Sequence, residues 1–122
     1  MPSSSPDYGF QLLEETVAET NTLDLDVRRE VARLVVELHT DPYRGDLMDD
    51  RPPKILRGCR KIRFDLPNWS GKRRFRLVYR NEPNDGAVGN LCVIAIGRRA
   101  DMAVYARAAS RLAKRISEEG RR

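Results

Sequence analysis

Lys61-Ile62-Arg63-Phe64-Asp65-Leu66 is the stretch on which the fold turns. Successive side chains of a β-strand point to opposite faces, so Lys61 and Arg63 share one face while Ile62, Phe64 and Leu66 share the other. Arg74–Glu82 repeats the pattern, with Arg76 alternating against Phe75, Leu77 and Tyr79. A third apolar run, Leu91–Gly97, follows. The linkers Pro67-Asn68-Trp69-Ser70-Gly71-Lys72-Arg73 and Asn84-Asp85-Gly86-Ala87-Val88-Gly89-Asn90 hold Gly and Asn turn residues. Both are short enough for hairpins, which predicts an antiparallel meander with cations gathered on one face.

Upstream, Tyr8–Leu12 reads as a short strand and Leu13–Thr20 as a short helix. A second helix, capped by Asp24 or Asp26, runs to about His39, with Val27, Val31, Leu34, Val35 and Leu38 on one stripe. Asp41-Pro42 ends it, and 43–53 is polar and loop-like. Downstream, a last helix covers about Asp101 to Glu118. The expected class is α+β: a small antiparallel sheet of about four strands, the N-terminal helix pair packed on one face, and a C-terminal helix. The other sheet face, with Lys61, Arg63 and Arg76, is expected to lie open. Residues 1–7 read as a disordered tail and 8–122 as a single domain.

The chain has 122 residues, of which 40% are apolar, enough for one core. No apolar run reaches the ~18 residues of a membrane span, and the N-terminus lacks the basic and apolar regions of a signal peptide. A cytoplasmic protein is expected, with Cys59 and Cys92 as reduced packing residues. His39 is the only histidine, at a helix C-terminus where the dipole favours its charge. Metal-ligand spacing is absent, so no metal or other cofactor is expected.

Charge divides along the chain. Residues 1–50 carry a net −8 and residues 51–122 a net +13, and Arg outnumbers Lys 19 to 4. A basic half rich in guanidinium forks points to a phosphate polyanion, nucleic acid above all.

Five motifs in order carry a family resemblance: Leu56-Arg57-Gly58, Lys61-Ile62-Arg63-Phe64, Phe75-Arg76-Leu77-Val78-Tyr79, Ile96-Gly97-Arg98-Arg99 and Val104-Tyr105. In these, and in the N-terminal strand and helix pair that extend the similarity over nearly the whole chain, the protein resembles the RelE-type toxins of type II toxin–antitoxin systems. The resemblance implies an endoribonuclease that cuts mRNA in the decoding site of the ribosome and is neutralised by a cognate antitoxin. It implies a catalytic set of Lys61, Arg63, Arg76, Arg99 and Tyr105, with no cofactor. Trp69, Lys72, Arg73, Arg74 and Arg98 are the expected nucleic-acid contacts around it. The two hairpin loops are longer than is usual in that family, and Asp65 and Arg74 are expected to crowd the site face.

Such a set can cut RNA because the substrate supplies its own nucleophile, the 2′-hydroxyl. Attack on the adjacent phosphorus needs a base, cations for the pentacoordinate charge and an acid for the leaving 5′-oxygen. Arg76 and Arg99 suit the non-bridging oxygens. Neighbouring cations depress the pKa of a lysine or a phenol, so Lys61 and Tyr105 both qualify as base.

Other readings compete. Lys61 and Arg63 suit a solvated sheet face, and Tyr105 shares a helical stripe with Ala109, Leu112 and Ile116, as a core tyrosine would. Arg76 and Arg99 could pair with Asp65 and Asp101. Arg107, Arg111, Lys114 and Arg115 read as a solvated helix face. A gyrase poison like the related ParE toxins, or a nucleic-acid-binding module without catalysis, are the functional alternatives.

Overall fold

In a computed structural model describing residues 8–49, 51–101 and 103–120, the chain runs β1 (Gly9–Leu12), α1 (Glu14–Asn21), α2 (Leu25–Leu38), β2 (Asp46–Leu47), β3 (Arg60–Phe64), β4 (Phe75–Asn84), β5 (Ala87–Arg98) and α3 (Ala103–Glu119). Single 3-10 turns occur at Lys54–Leu56 and Arg99–Asp101. The expected N-terminal tail lies outside the described residues.

β3, β4 and β5 form the expected antiparallel meander. Their second hairpin is tighter than the linker composition implied. Pairing extends to Asn84 opposite Ala87, leaving only Asp85-Gly86 as the turn, the dipeptide that best fits a two-residue hairpin.

The sheet has five strands rather than about four, in the order β1-β5-β4-β3-β2. β1 lies parallel to β5, with Gly9 beside Asn90 and Leu12 beside Val93. A short apolar strand carries no sign of its direction; the long crossover through helices and meander permits parallel pairing here. β2 is a two-residue strand inside the stretch read as loop, too short and polar for any periodicity to register.

The apolar face of the meander packs on α2. Ile62, Phe64, Phe75, Leu77, Tyr79 and Val93 meet Val27, Val31, Leu34 and Leu38, whose spacing places them on one side of the helix. Burial of each such side chain contributes about 1.5–3 kcal/mol.

The opposite face is not open, contrary to expectation. α3 lays Val104, Ala108 and Leu112 over Val78, Ile94 and Ala95, with Leu56, Cys59 and Cys92 filling the layer. Burial pushes both thiols up to about 11, which suits packing residues rather than nucleophiles. Only the margin next to the first turns of α3 is left for Lys61, Arg63 and Arg76.

α1 follows the edge of β5 beyond the end of β1. The Thr16 hydroxyl bonds the carbonyls of Val93 and Ile94 at 3.2 and 2.8 Å, and Glu19 accepts the Ile96 N–H at 3.3 Å. These side chains satisfy strand groups that β1 does not reach. Glu19 also grips Arg107 and Arg111, the latter at 2.6 Å, and Arg115 bonds Glu82 at 2.7 Å. Three arginines read as a solvated helix face therefore clamp α3 to the sheet edge, while Lys114 stays exposed. His39 caps α2, and its ring stacks on Phe10 at 4.1 Å.

Among the described residues, no helix is long and apolar enough to cross a membrane.

Candidate functional site

Strand register assembles the site. Arg63 lies opposite Arg76, Lys61 opposite Val78, and Gly97 of β5 opposite Arg76 on its other side. Lys61, Arg63 and Arg76 thus share a face, as the alternation required. A Cβ on Gly97 would come within 2.4 Å of the Arg107 guanidinium and 3.6 Å of Val104. The bare glycine lets the first turns of α3 sit close to the sheet, which carries Tyr105 to the site.

Arg76 is 6% exposed and has no carboxylate partner among the described residues. Its Nη1 donates to the carbonyls of Phe75 and Arg73 at 2.8 and 2.9 Å. Burial lowers its pKa; the hydrogen-bonding Tyr105 hydroxyl opposes that, and the charges of Arg99 and Arg63 add to it. Lys61 is half-buried with Nζ 5.9 Å from the centre of the Tyr105 ring. Its ammonium pKa is lowered by burial first and then by Arg63, Arg51 and Arg76, with Asp46 opposing. Arg99 stands exposed in the 3-10 turn after β5, its backbone N–H tied to the Arg74 carbonyl at 2.7 Å. All five proposed catalytic residues gather at one margin of the sheet. Tyr105 is half-buried, packing on the α3-side core while reaching Arg76 and Lys61, so it is not sealed in the interior.

The sequence reading missed an acidic wall. The buried Tyr79 hydroxyl donates to the Pro42 carbonyl at 2.8 Å and accepts the Gly45 N–H at 2.9 Å, pinning the chain after α2. A Cβ at Gly45 would lie 2.8 Å from the Tyr79 ring and 2.9 Å from the Lys61 carbonyl, so the approach needs glycine. β2 then sets Asp46 beside Lys61 in register, and Asp46 reaches Arg63 at 3.5 Å. Asp49 is forked by Arg51, whose hydrogen bonds hold its carboxyl at about 2, with Lys61 contributing. Asp46, Asp49, Arg51, Lys61, Arg63 and Tyr105 line one cleft of about 330 Å³. Gly45 ahead of Asp46 was the only local hint of this wall.

Solved structures match this arrangement of elements. A free-state, double arginine-to-alanine variant of the E. coli toxin RelE is similar with a TM-score of 0.62 and 25% identity, over 87% of this chain and 98% of its own. The chain is RelE-like. The same E. coli variant in complex with an antitoxin RelB peptide is similar at a TM-score of 0.54 and 26% identity, over 84% and 95% of the two chains. The RelBE2 toxin–antitoxin complex of Mycobacterium tuberculosis shares the fold at a TM-score of 0.56 and 17% identity, over 77% and 100%. No family model matches the chain, and no curated protein matches it in sequence.

In this RelE-like chain the wider set of expected nucleic-acid contacts separates. Arg98 points away from the site, with its guanidinium 5.4 Å from the Phe75 ring centre on the α2 side; Gly97 faces the site, so period two sends its neighbour through the sheet. Arg74 is withdrawn by Asp65, which it bonds through Nε and Nη2 at 2.9 and 2.8 Å. Asp65 is 7% exposed and requires that compensation, and its carboxyl falls to about 2 because of it. The Asp65–Arg74 pair therefore does not crowd the five-residue site, and Asp65 is not a partner of Arg76. Lys72 and Arg73 are exposed on the β3–β4 loop, and Trp69 lies there with its ring stacked on Arg74 at 3.5 Å.

Proposed function

We propose that this RelE-like chain is the toxin of a toxin–antitoxin pair and acts as a metal-independent endoribonuclease on mRNA at the ribosome. One observation carries the reading: Arg76, buried and unneutralised by any described carboxylate, sits against a phenol with Lys61, Arg63 and Arg99 around it. A buried cation held only by carbonyls and a hydroxyl is costly unless an anion arrives to meet it. A scissile phosphate is such an anion.

In the proposed reaction the 2′-oxygen attacks phosphorus, the bond to the 5′-oxygen breaks, and a 2′,3′-cyclic phosphate and a 5′-hydroxyl result. Arg76 bonds a non-bridging oxygen, its orientation fixed by the Arg73 and Phe75 carbonyls. Arg63 and Arg99 share the added charge from the open side. Lys61, with its lowered pKa, and Tyr105 are the groups for proton transfer, and Asp46 is a third within the same cleft. With Lys61 as base, cleavage rises with pH as the ammonium deprotonates. The cleft is open, so much of the in-line positioning falls to the ribosome.

The antitoxin complexes of the similar structures support a cognate antitoxin here. Brief induction in growing bacteria with mapping of mRNA 5′ ends tests the reading. Cuts inside translated regions, abolished by Arg76→Ala, are expected. Intact messages with stalled DNA replication would replace it with a ParE-like action on gyrase.

A further inference from the structure

We propose that Trp69 is a stacking platform for a base of the bound RNA strand, in a groove that runs from Lys61 and Arg63 along the outer edge of β3. This rests on the RNA-cleaving reading and adds a binding subsite to it.

β2 pairs only with Arg60 and Lys61, so the outer edge of β3 is uncovered from Ile62 onward. Along that edge runs a polar groove whose lining includes Lys61 and Arg63 near one end and Trp69 and Arg73 near the other. The loop holding Trp69 is bonded to the site itself, because Arg76 Nη1 donates to the Arg73 carbonyl at 2.9 Å. The carboxylates that share the groove, Glu30, Asp46 and Asp65, are already engaged by Arg33, Arg63 and Arg74. Lys61 and Arg73 remain to attract a phosphate backbone.

Trp69 is the chain's only tryptophan and is 42% exposed. Its ring is held from two sides. The Arg74 guanidinium lies 3.5 Å from the ring centre, locked by Asp65, and Nε1–H is donated to the Lys72 carbonyl at 3.1 Å. Gly71, at φ 104°, permits the tight loop that brings this carbonyl back. The exposed surface is therefore the far face and outer rim of an immobilised ring. A fixed aromatic face beside a phosphate track is how single-stranded RNA is gripped without sequence preference, each stacked base contributing about 1–3 kcal/mol.

The test compares Trp69→Phe with Trp69→Leu in the full chain, reading in-cell mRNA cleavage by 5′-end mapping and thermal stability. Stacking predicts that Phe keeps most of the activity while Leu loses roughly 5- to 150-fold at unchanged Tm. Tryptophan fluorescence should also be quenched by a non-cleavable 2′-O-methyl oligoadenylate and less so by an abasic oligomer of equal length. Equal cleavage by the Phe and Leu variants overturns the platform. If they are equal while Arg76→Ala is inactive, the RNA reading stands and only the subsite falls. If the wild type itself leaves messages intact, the RNA reading has failed and the subsite with it.

Discussion

Two groups of arginines flank the sheet, and they are treated in opposite ways. Arg107, Arg111 and Arg115 on α3 each meet a carboxylate, from Glu19 or Glu82, at the sheet edge. Among the described residues, Arg76, more buried than any of them, meets only carbonyls and the Tyr105 hydroxyl. Paired guanidinium groups hold elements together; in the proposed reading, the one without a described carboxylate partner meets a ligand's negative charge. Burial and partner type, rather than charge count, separate scaffold from site.

The largest effect expected from this contrast is on activity. Arg76→Ala should reduce cleavage about 10²–10³-fold, as for loss of one preorganised oxyanion donor, while Tm moves by only a few degrees. A collapse of Tm instead would place Arg76 with the structural arginines.

Glu19→Ala is the mirror experiment. It strands Arg107 and Arg111 and uncaps the Ile96 N–H, and should lower stability by about 2–3 kcal/mol, below the 3–5 kcal/mol of a fully buried pair because Arg107 is partly solvated. Urea denaturation reads this directly, and an unchanged midpoint would break the comparison from the other side.

Asp65 sharpens it through pH. Its folded pKa of about 2 lies below the unfolded value of about 4, so its stabilisation is present above pH ~4 and is lost as pH falls toward ~2. Tm should decline across that window in the wild type and less steeply in Asp65→Asn.

The smallest effect belongs to Asp46. Its pair with Arg63 is exposed on both sides and spans 3.5 Å, so Asp46→Asn should tighten RNA binding only about two- to fivefold in a filter or anisotropy assay. No change would mean that Arg63 is equally available with or without it.

Much of this was legible beforehand because period is a local property. Lys61 and Arg63 against Ile62 and Phe64 placed both faces of β3, and Val27, Val31, Leu34 and Leu38 announced the buried side of α2. Asp85-Gly86 was present in the sequence, yet its linker was read as a longer loop, since turn chemistry was weighed less than spacing. Arg98 was misassigned although the same alternation that put Gly97 beside Arg76 sends it through the sheet.

The sequence by itself determined the longer strands, the helices and the face on which the candidate catalytic cations stand, because alternation and helical spacing depend only on neighbours along the chain. The tertiary structure alone decided which arginines pair with a carboxylate and which do not among the described residues. Glu19 and Arg111 stand far apart in sequence, as do Asp46 and Arg63, and no local pattern records which carboxylate will fold against which guanidinium. That pairing is set by the register of β2 on β3, the path of α1 along β5 and the seat of α3 over Gly97, all contacts made only when the chain closes on itself.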